Sequence, residues 1–209
     1  CEKRKKLIIS TGMCYLEDIK NTISFIEKNG FNRSEISLLH CTTEYPTPFE
    51  SVNLKAINTL KNTFNTKVGY SDHTNSTYAA EIAVALGASM LELHFTDNKE
   101  STSFRDHLVS FNSDDLIQLR EKIQIIKDLK GDGIKRPMKS EIENGHLISF
   151  RRALYPSRNI SKNETVSEDD FIALRPEHGL QASKIKEIIG KKAVRDLVRY
   201  EQISLSDFE

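Results

Sequence analysis

Residues 67–96, KVGYSDHTNSTYAAEIAVALGASMLELHFT, decide the fold. They open on a β-favouring run, Lys67 to Tyr70, cross the polar Ser71-Asp72-His73-Thr74, and enter a helical stretch, Ala79–Leu86, that Gly87 stops. A second apolar run, Met90 to Phe95, follows, with no hairpin signal between the two. Two strands joined by a helix pair in parallel, because the crossover returns the chain to the same end of the sheet.

Upstream the pattern repeats. Leu7-Ile8-Ile9 leads through Ser10-Thr11-Gly12 to a helix with Leu16, Ile19, Ile23 and Ile26 on one face and Gly30 as its C-cap. The run from Ile36 to Cys41 leads through a loop, Thr42 to Pro48, to a helix with Leu54, Ile57, Leu60 and Phe64 on one face. Downstream, a helix over Asp114–Leu129 has Ser113 as N-cap. Strand centres near Ile8, Leu38, Val68 and Leu91 are spaced by about 30, 30 and 23 residues. A complete (β/α)8 barrel takes ~250 residues, roughly 31 per unit, so the count fits four of eight units or a small open sheet.

The placement of polar residues separates these two. All four strands end in groups that can do chemistry: Ser10-Thr11, His40 to Thr43, Ser71 to His73, and Glu92 with His94 and Thr96. A barrel gathers its site from many strand ends, whereas an open sheet concentrates it at one switch point. No GxGxxG or GxxxxGK[ST] appears to favour a nucleotide fold. After Gly131-Asp132-Gly133 the periodicity changes. The expected organisation is therefore α/β: the C-terminal half of a TIM barrel over 1–130, a linker over 131–148 and a small, mostly β module over 149–209, with a short helix near Ala182–Ile189. No internal repeat is evident.

Composition excludes several classes. Thirty basic and 30 acidic residues in 209 balance to zero, which argues against a nucleic-acid partner or an anionic membrane surface. Apolar runs of five or six residues are too short to span a bilayer. Cys1, Cys14 and Cys41 form neither a disulfide framework nor a zinc knuckle, and fit reduced cytoplasmic thiols. The chain begins with Cys1 and its first methionine is Met13, so it reads as a fragment or a processed chain.

His73 and His94 lie at the ends of neighbouring strands, where two imidazoles plus waters and a substrate oxygen can form an open divalent-metal site. The alternative is two hydrogen-bonded histidines. Glu92 shares a strand face with His94, while Leu91, Leu93 and Phe95 face the helices. A carboxylate there orients a histidine, takes part directly, or pairs with a lysine. Ser10, Thr43, Tyr45 and Ser71 are hydroxyl donors suited to phosphate, carboxylate or sugar oxygens. Asp106-His107 occupies the loop after the fourth strand, as a substrate contact or a solvated turn, and Arg175-Pro176 ends a strand-like run in the small module.

The strings Ser10-Thr11-Gly12-Met13, Leu39-His40-Cys41-Thr42 through Tyr45-Pro46-Thr47-Pro48, Gly69 to Thr74, and Glu92-Leu93-His94-Phe95-Thr96 resemble the sialic acid (nonulosonate) synthase family. So do Asn144, Arg151-Arg152 and Arg175-Pro176, and the likeness runs along essentially the whole chain. It implies a TIM barrel joined to an antifreeze-like (SAF) domain, and condensation of phosphoenolpyruvate with an N-acetylmannosamine-type sugar to a nonulosonic acid and phosphate. By motif, His73 and His94 match the ligands of Mn²⁺ or Mg²⁺, and Ser10 and Ser71 match phosphoenolpyruvate contacts. Thr43 and Tyr45 match active-site loop contacts, Asp106 a contact to sugar hydroxyls, and Arg175 an arginine offered to the partner subunit of a homodimer. Two departures stand out: Leu93 replaces a common lysine, and Ser101 to Arg105 lacks the usual proline and glycine. The resemblance also implies a preceding half barrel with phosphoenolpyruvate-binding lysines that this sequence does not contain. The competing readings are a chain inert by itself that complements a partner, and a metal-dependent aldolase on the same fold.

Overall fold

The first strand, Leu7–Ser10 (β1), is apolar at its first three positions, and its alternating burial leaves Ile9 packed against the helices and Ile8 on the opposite face, 59% exposed. The computed structural model describes residues 6–99 and 104–209; Cys1 and Ser101 to Ser103 lie outside them. The first unit, through Gly133, is a parallel sheet in sequence order: β1, then Ile36–His40 (β2), Lys67–Asp72 (β3) and Leu91–Leu93 (β4). Each strand is followed by a helix: Leu16–Lys28 (α1), Ala56–Phe64 (α2), Tyr78–Ala85 (α3) and Ser113–Lys130 (α4). Four such units in order, with a parallel register throughout, are the expected half barrel.

The core lies between sheet and helices. Ile36, Leu38, Val68 and Tyr70 from the strands meet Ile19, Ile23, Ile57, Leu60, Phe64 and Ala83 from the helices. The opposite face carries Ile8, Ser10, Leu39, Gly69, Ser71 and Glu92, matched by register as Ser10↔Leu39, Leu39↔Gly69 and Ser71↔Glu92.

Several boundaries differ from the sequence reading. The third strand continues to Asp72, because Ser71 and Asp72 pair with Glu92 and Leu93. The fourth is three residues long, and Phe95 instead bridges in parallel to Phe111, leaving its ring 60% exposed rather than packed on helices. Asn112, not Ser113, caps α4: its Oδ1 accepts from Asp115 N at 2.9 Å and its own N–H donates to Asp115 Oδ2. Asn29 caps α1, and Gly30 follows it at φ 90°.

The second unit, Ile134–Glu209, begins with two short helices, Lys139–Glu143 (α5) and His146–Ser149 (α6), inside the stretch expected as a linker. Its strands Ala153–Pro156 (β5) and Phe171–Leu174 (β6) pair antiparallel, and 182–187 is 3-10 rather than α-helix. It also holds a repeat. Arg158, Ile160, Glu164, Val166, Ser167, Asp170 and Phe171 recur 37 positions later as Arg195, Leu197, Glu201, Ile203, Ser204, Asp207 and Phe208. The two copies are related by an approximate two-fold: Ile160 and Leu197 exchange N–H···O bonds at 2.9 and 2.8 Å, and the Phe171 and Phe208 rings meet edge-on at 5.8 Å. Lys162 N donates to Asp196 Oδ1 at 2.7 Å, and Arg199 N donates to Asn159 Oδ1 at 2.9 Å. No helix among the described residues is long and apolar enough to cross a membrane.

Candidate functional site

Three rings meet at the C-terminal ends of β2, β3 and β4. The Tyr45 ring stacks on His73 at 4.1 Å and 29°, and meets His94 edge-on at 5.6 Å. The two imidazoles lie 5.4 Å apart, centroid to centroid. His73, only 7% exposed, follows directly on β3. Its Nδ1 lies 2.7 Å from the Thr42 carbonyl, which can only accept, so Nδ1 carries a proton and Nε2 is the ring nitrogen that offers a lone pair in the neutral form. Thr47 N donates back to the His73 carbonyl at 2.8 Å, so the loop from Thr42 to Thr47 is tied to β3 at both ends. His94 is fixed from the other side, its carbonyl accepting from Phe111 N at 2.8 Å.

Ser71 donates to Glu92 Oε1 at 2.8 Å, joining the two strands beside the imidazoles. Arg105 lays its guanidinium 5.2 Å over the Tyr45 ring and holds Asp106 Oδ1 at 3.4 Å from its Nε. That contact is an ion pair without hydrogen-bond geometry, and Asp106 Oδ1 has no hydrogen-bond partner. Burial raises the Tyr45 phenol, reinforced by the negative charge of Asp106, so Tyr45 acts as a neutral donor. Burial likewise raises Cys41, which keeps that thiol protonated.

The structure thus brings Tyr45, Ser71, His73, Glu92, His94 and Asp106 together. Ser10 ends β1 on the same sheet face, exposed and outside the ring cluster. Thr43 is exposed too, with its hydroxyl so close to Gly12 that a Cβ on that glycine would overlap it. Arg175 belongs to the second unit, where its guanidinium sits 5.5 Å over Phe150.

Sequence reasoning placed Thr42 and Asp72 only among the strand-end groups, without a role, and missed Thr47 and Arg105. Thr42 and Thr47 act through main-chain atoms, which leave no mark in side-chain patterns. Arg105 is a loop cation with no periodicity. Asp72 had a legible signal, the spacing Asp72-x-Thr74 that lets an aspartate accept from the N–H two residues on. It does so at 2.8 Å, also accepts from Tyr70 OH at 3.2 Å, and pins the turn into His73. Asp72 is fully buried with Oδ2 unpartnered, and burial raises its pKa.

His73 Nε2 and the His94 ring give two nitrogen donors for a divalent ion, and the Thr42 bond orients the first as metal-bound histidines commonly are. No group of three His, Cys, Asp or Glu suited to a metal forms among the described residues. The remaining positions would fall to water and substrate, the pattern of an open, reactive site.

Comparison with known proteins identifies the family. Residues 1–135 match the NeuB family and residues 151–209 the SAF domain. The N,N'-diacetyllegionaminic acid synthase of Campylobacter jejuni is 43% identical over 192 residues, 92% of this chain and 57% of that protein. The same organism's pseudaminic acid synthase is 32% identical over 208 residues, 100% of this chain and 59% of that protein. The chain thus spans a little over half the length of these curated relatives. The structure of a spore coat polysaccharide biosynthesis protein E from Chromobacterium violaceum superposes with a TM-score of 0.74 over 100% of this chain and 62% of that one; at 24% identity this speaks to the fold alone. The N-acetylneuraminic acid synthetase of Leptospira borgpetersenii, solved with citrate, gives 0.60 at 32% identity over 66% of this chain and 47% of that one. With residues 1–135 matched by one family model and 151–209 by the domain that follows it, the chain belongs to the NeuB family.

Proposed function

We propose that the chain carries the aldehyde-binding side of a synthase that condenses phosphoenolpyruvate with an N-acetylated amino sugar, giving a nonulosonic acid and phosphate. The observation that carries this reading is the pair of imidazoles, 5.4 Å apart at neighbouring strand ends, with one oriented by Thr42. Mn²⁺ or Mg²⁺ on His73 and His94 would supply Lewis acidity to the sugar's aldehyde oxygen. Ser10 and Ser71 offer hydroxyls to the phosphate and carboxylate, and Thr43 and Tyr45 line the approach of the sugar. The C3 carbon of phosphoenolpyruvate bonds to the aldehyde carbon, whose oxygen takes up a proton from solvent to become a hydroxyl; water adds at C2 and gives one proton to Glu92, and phosphate leaves as the C2–O bond breaks, carrying the second proton and leaving a C2 ketone. Asp106 accepts from sugar hydroxyls. Arg175 acts on the site of a two-fold partner in a homodimer.

A second reading is that the chain is inert by itself. The 57% span of the relative and the four-stranded sheet favour it. Two measurements test both. Mn²⁺ titration followed by electron spin resonance should show weak binding that falls roughly tenfold or more in His73→Ala and again in the variant lacking both histidines, since losing a ligand costs at least as much as losing its supporting bond. Unchanged affinity removes the metal assignment. Phosphate release from phosphoenolpyruvate and an amino sugar should be absent with the chain alone and return when the portion of the Campylobacter relative outside the alignment is co-expressed. Turnover by the chain alone would exclude the second reading.

A further inference from the structure

His40 takes part in no step proposed above, yet it ends β2 beside the site. Leu39 lies on the open face of the sheet with Gly69, so His40 falls with Ile36 and Leu38 on the helix face, a place usually filled by an apolar side chain. Burial lowers its pKa against the raising effect of main-chain bonds to Val52 and Asn53, so the ring is neutral at pH 7. Its Nε2 lies 2.8 Å from the Val52 carbonyl, which can only accept, so Nε2 carries the proton. The Tyr70 ring packs beside it, centroids 6.1 Å apart.

That bond closes a loop. Val52 is buried, and Asn53 after it takes a left-handed φ of 48° before its carbonyl accepts from Ala56 N at 3.0 Å and α2 begins. Such a junction persists where its surroundings fix it. Thr42 Oγ1 donates to the Ser51 carbonyl at 2.9 Å, so His40 and Thr42 grip consecutive carbonyls and close residues 42–52. This one loop supplies three holds on His73: the Thr42 carbonyl on Nδ1, the stacked Tyr45 ring, and Thr47 N on the His73 carbonyl. His40 lies on the opposite face of the sheet from Ser71 and Glu92, so its effect on the imidazoles runs through the loop.

Resting on the reading of His73 as a metal ligand, we propose that His40 is a positioning residue: its Nε2–H bond to Val52 closes the 42–52 loop, and the loop sets the His73 ring so that its Nε2 faces the metal. Three variants of the full chain test this. The amide of His40→Gln can set an N–H near the place of Nε2, that of His40→Asn ends near Nδ1 and falls short of Val52, and His40→Ala has no donor. Amide exchange read by mass spectrometry should speed roughly fivefold or more across 42–52 in the Asn and Ala variants, with β1 and β3 unchanged, and stay at the parent's level in His40→Gln. Mn²⁺ affinity, followed by electron spin resonance, should fall roughly three- to tenfold in the same two variants and recover in His40→Gln, a smaller loss than removal of a bond to the ligand itself.

The decisive comparison is Gln against Asn, so it survives if His40→Ala does not fold. Gln and Asn variants that behave alike overturn the proposal, because the hold then does not depend on where the donor sits. So does exchange that rises evenly over the first unit with Mn²⁺ affinity unchanged, the mark of a residue that only stabilises the fold. Either result leaves the metal reading standing. A parent chain that binds no Mn²⁺ overturns the metal reading and this proposal together.

Discussion

Asp170 shows how one side chain can hold an irregular module together. Burial by itself would raise its pKa; the Ser167 amide and hydroxyl at 2.7 and 2.9 Å, and Arg158 at 2.6 and 2.8 Å, outweigh burial and hold it below the ordinary carboxylate range. Asp207 repeats the arrangement, lowered by Arg195 and Ser204 against burial. A carboxylate lowered in the folded state stabilises fully above its unfolded value, about 4, and loses that contribution as pH falls through the depressed folded values. The second unit should therefore loosen below about pH 4. Asp170→Asn should cost roughly 1–3 kcal/mol at neutral pH and flatten the acid dependence. Amide exchange across Phe171 and Phe208 in the whole chain, measured at pH 7 and pH 3.5, checks both. An acid profile unchanged in the variant would show that the bonds to Asp170 contribute nothing.

Among the elements, β3 is the most constrained, because it has a neighbour on each side and the candidate site at its end. Gly69 sits at its centre, where a Cβ would lie 2.7 Å from both Leu39 Cδ2 and the Met90 carbonyl and would overlap the Met90 side chain. Met90 cannot withdraw, since its carbonyl accepts from Tyr70 N at 3.0 Å. Gly69→Ala should cost about 1–3 kcal/mol by overpacking, read as a lower denaturation midpoint of the first unit; a midpoint equal to the parent's would refute the close approach. The strands were legible as short apolar runs, buried nearly throughout in β2 and β3, and α1 and α2 because their buried positions, Ile19 and Ile23, then Ile57, Leu60 and Phe64, fall at helical spacing. The convergence of His73 and His94 was legible too, because each directly follows the end of one of two neighbouring parallel strands. The 37-residue repeat was not legible. Its copies share scattered positions, and the left-handed turns fall on Asn163 in one and Tyr200 in the other, residues with no common chemistry. Arg105 escaped for a related reason: a loop cation gains meaning only when Tyr45, sixty positions away, is folded beneath it.

At the scale of the whole molecule, the first unit ends on two different flanks. At β1 the outward N–H and C=O groups of Leu7 to Ser10 have no strand partner among the described residues, and the adjoining α1 leaves Leu16 and Phe25 exposed. At β4 the edge is partly closed, because Phe111 N donates to the His94 carbonyl and Thr96 N to that of Phe111 at 2.8 and 2.9 Å. Beyond it, α4 exposes Ile117, Ile125 and Leu129 along one face at spacings of eight and four. An unpaired strand edge beside exposed apolar side chains favours pairing with another chain, and the β1 flank has no internal cover. The chain alone should therefore self-associate at micromolar concentration, driven chiefly through β1. Lys in place of Ile8, whose side chain is 59% exposed on the sheet's open face, should reduce association by placing a charge at the edge strand without disturbing the core between sheet and helices. Light scattering over a hundredfold dilution checks this. A monodisperse monomer throughout would show that the β1 flank is already satisfied. Co-expression with the portion of the Campylobacter relative outside the alignment gives the complementary result: association should yield to a defined complex if that portion covers β1, and persist if it does not.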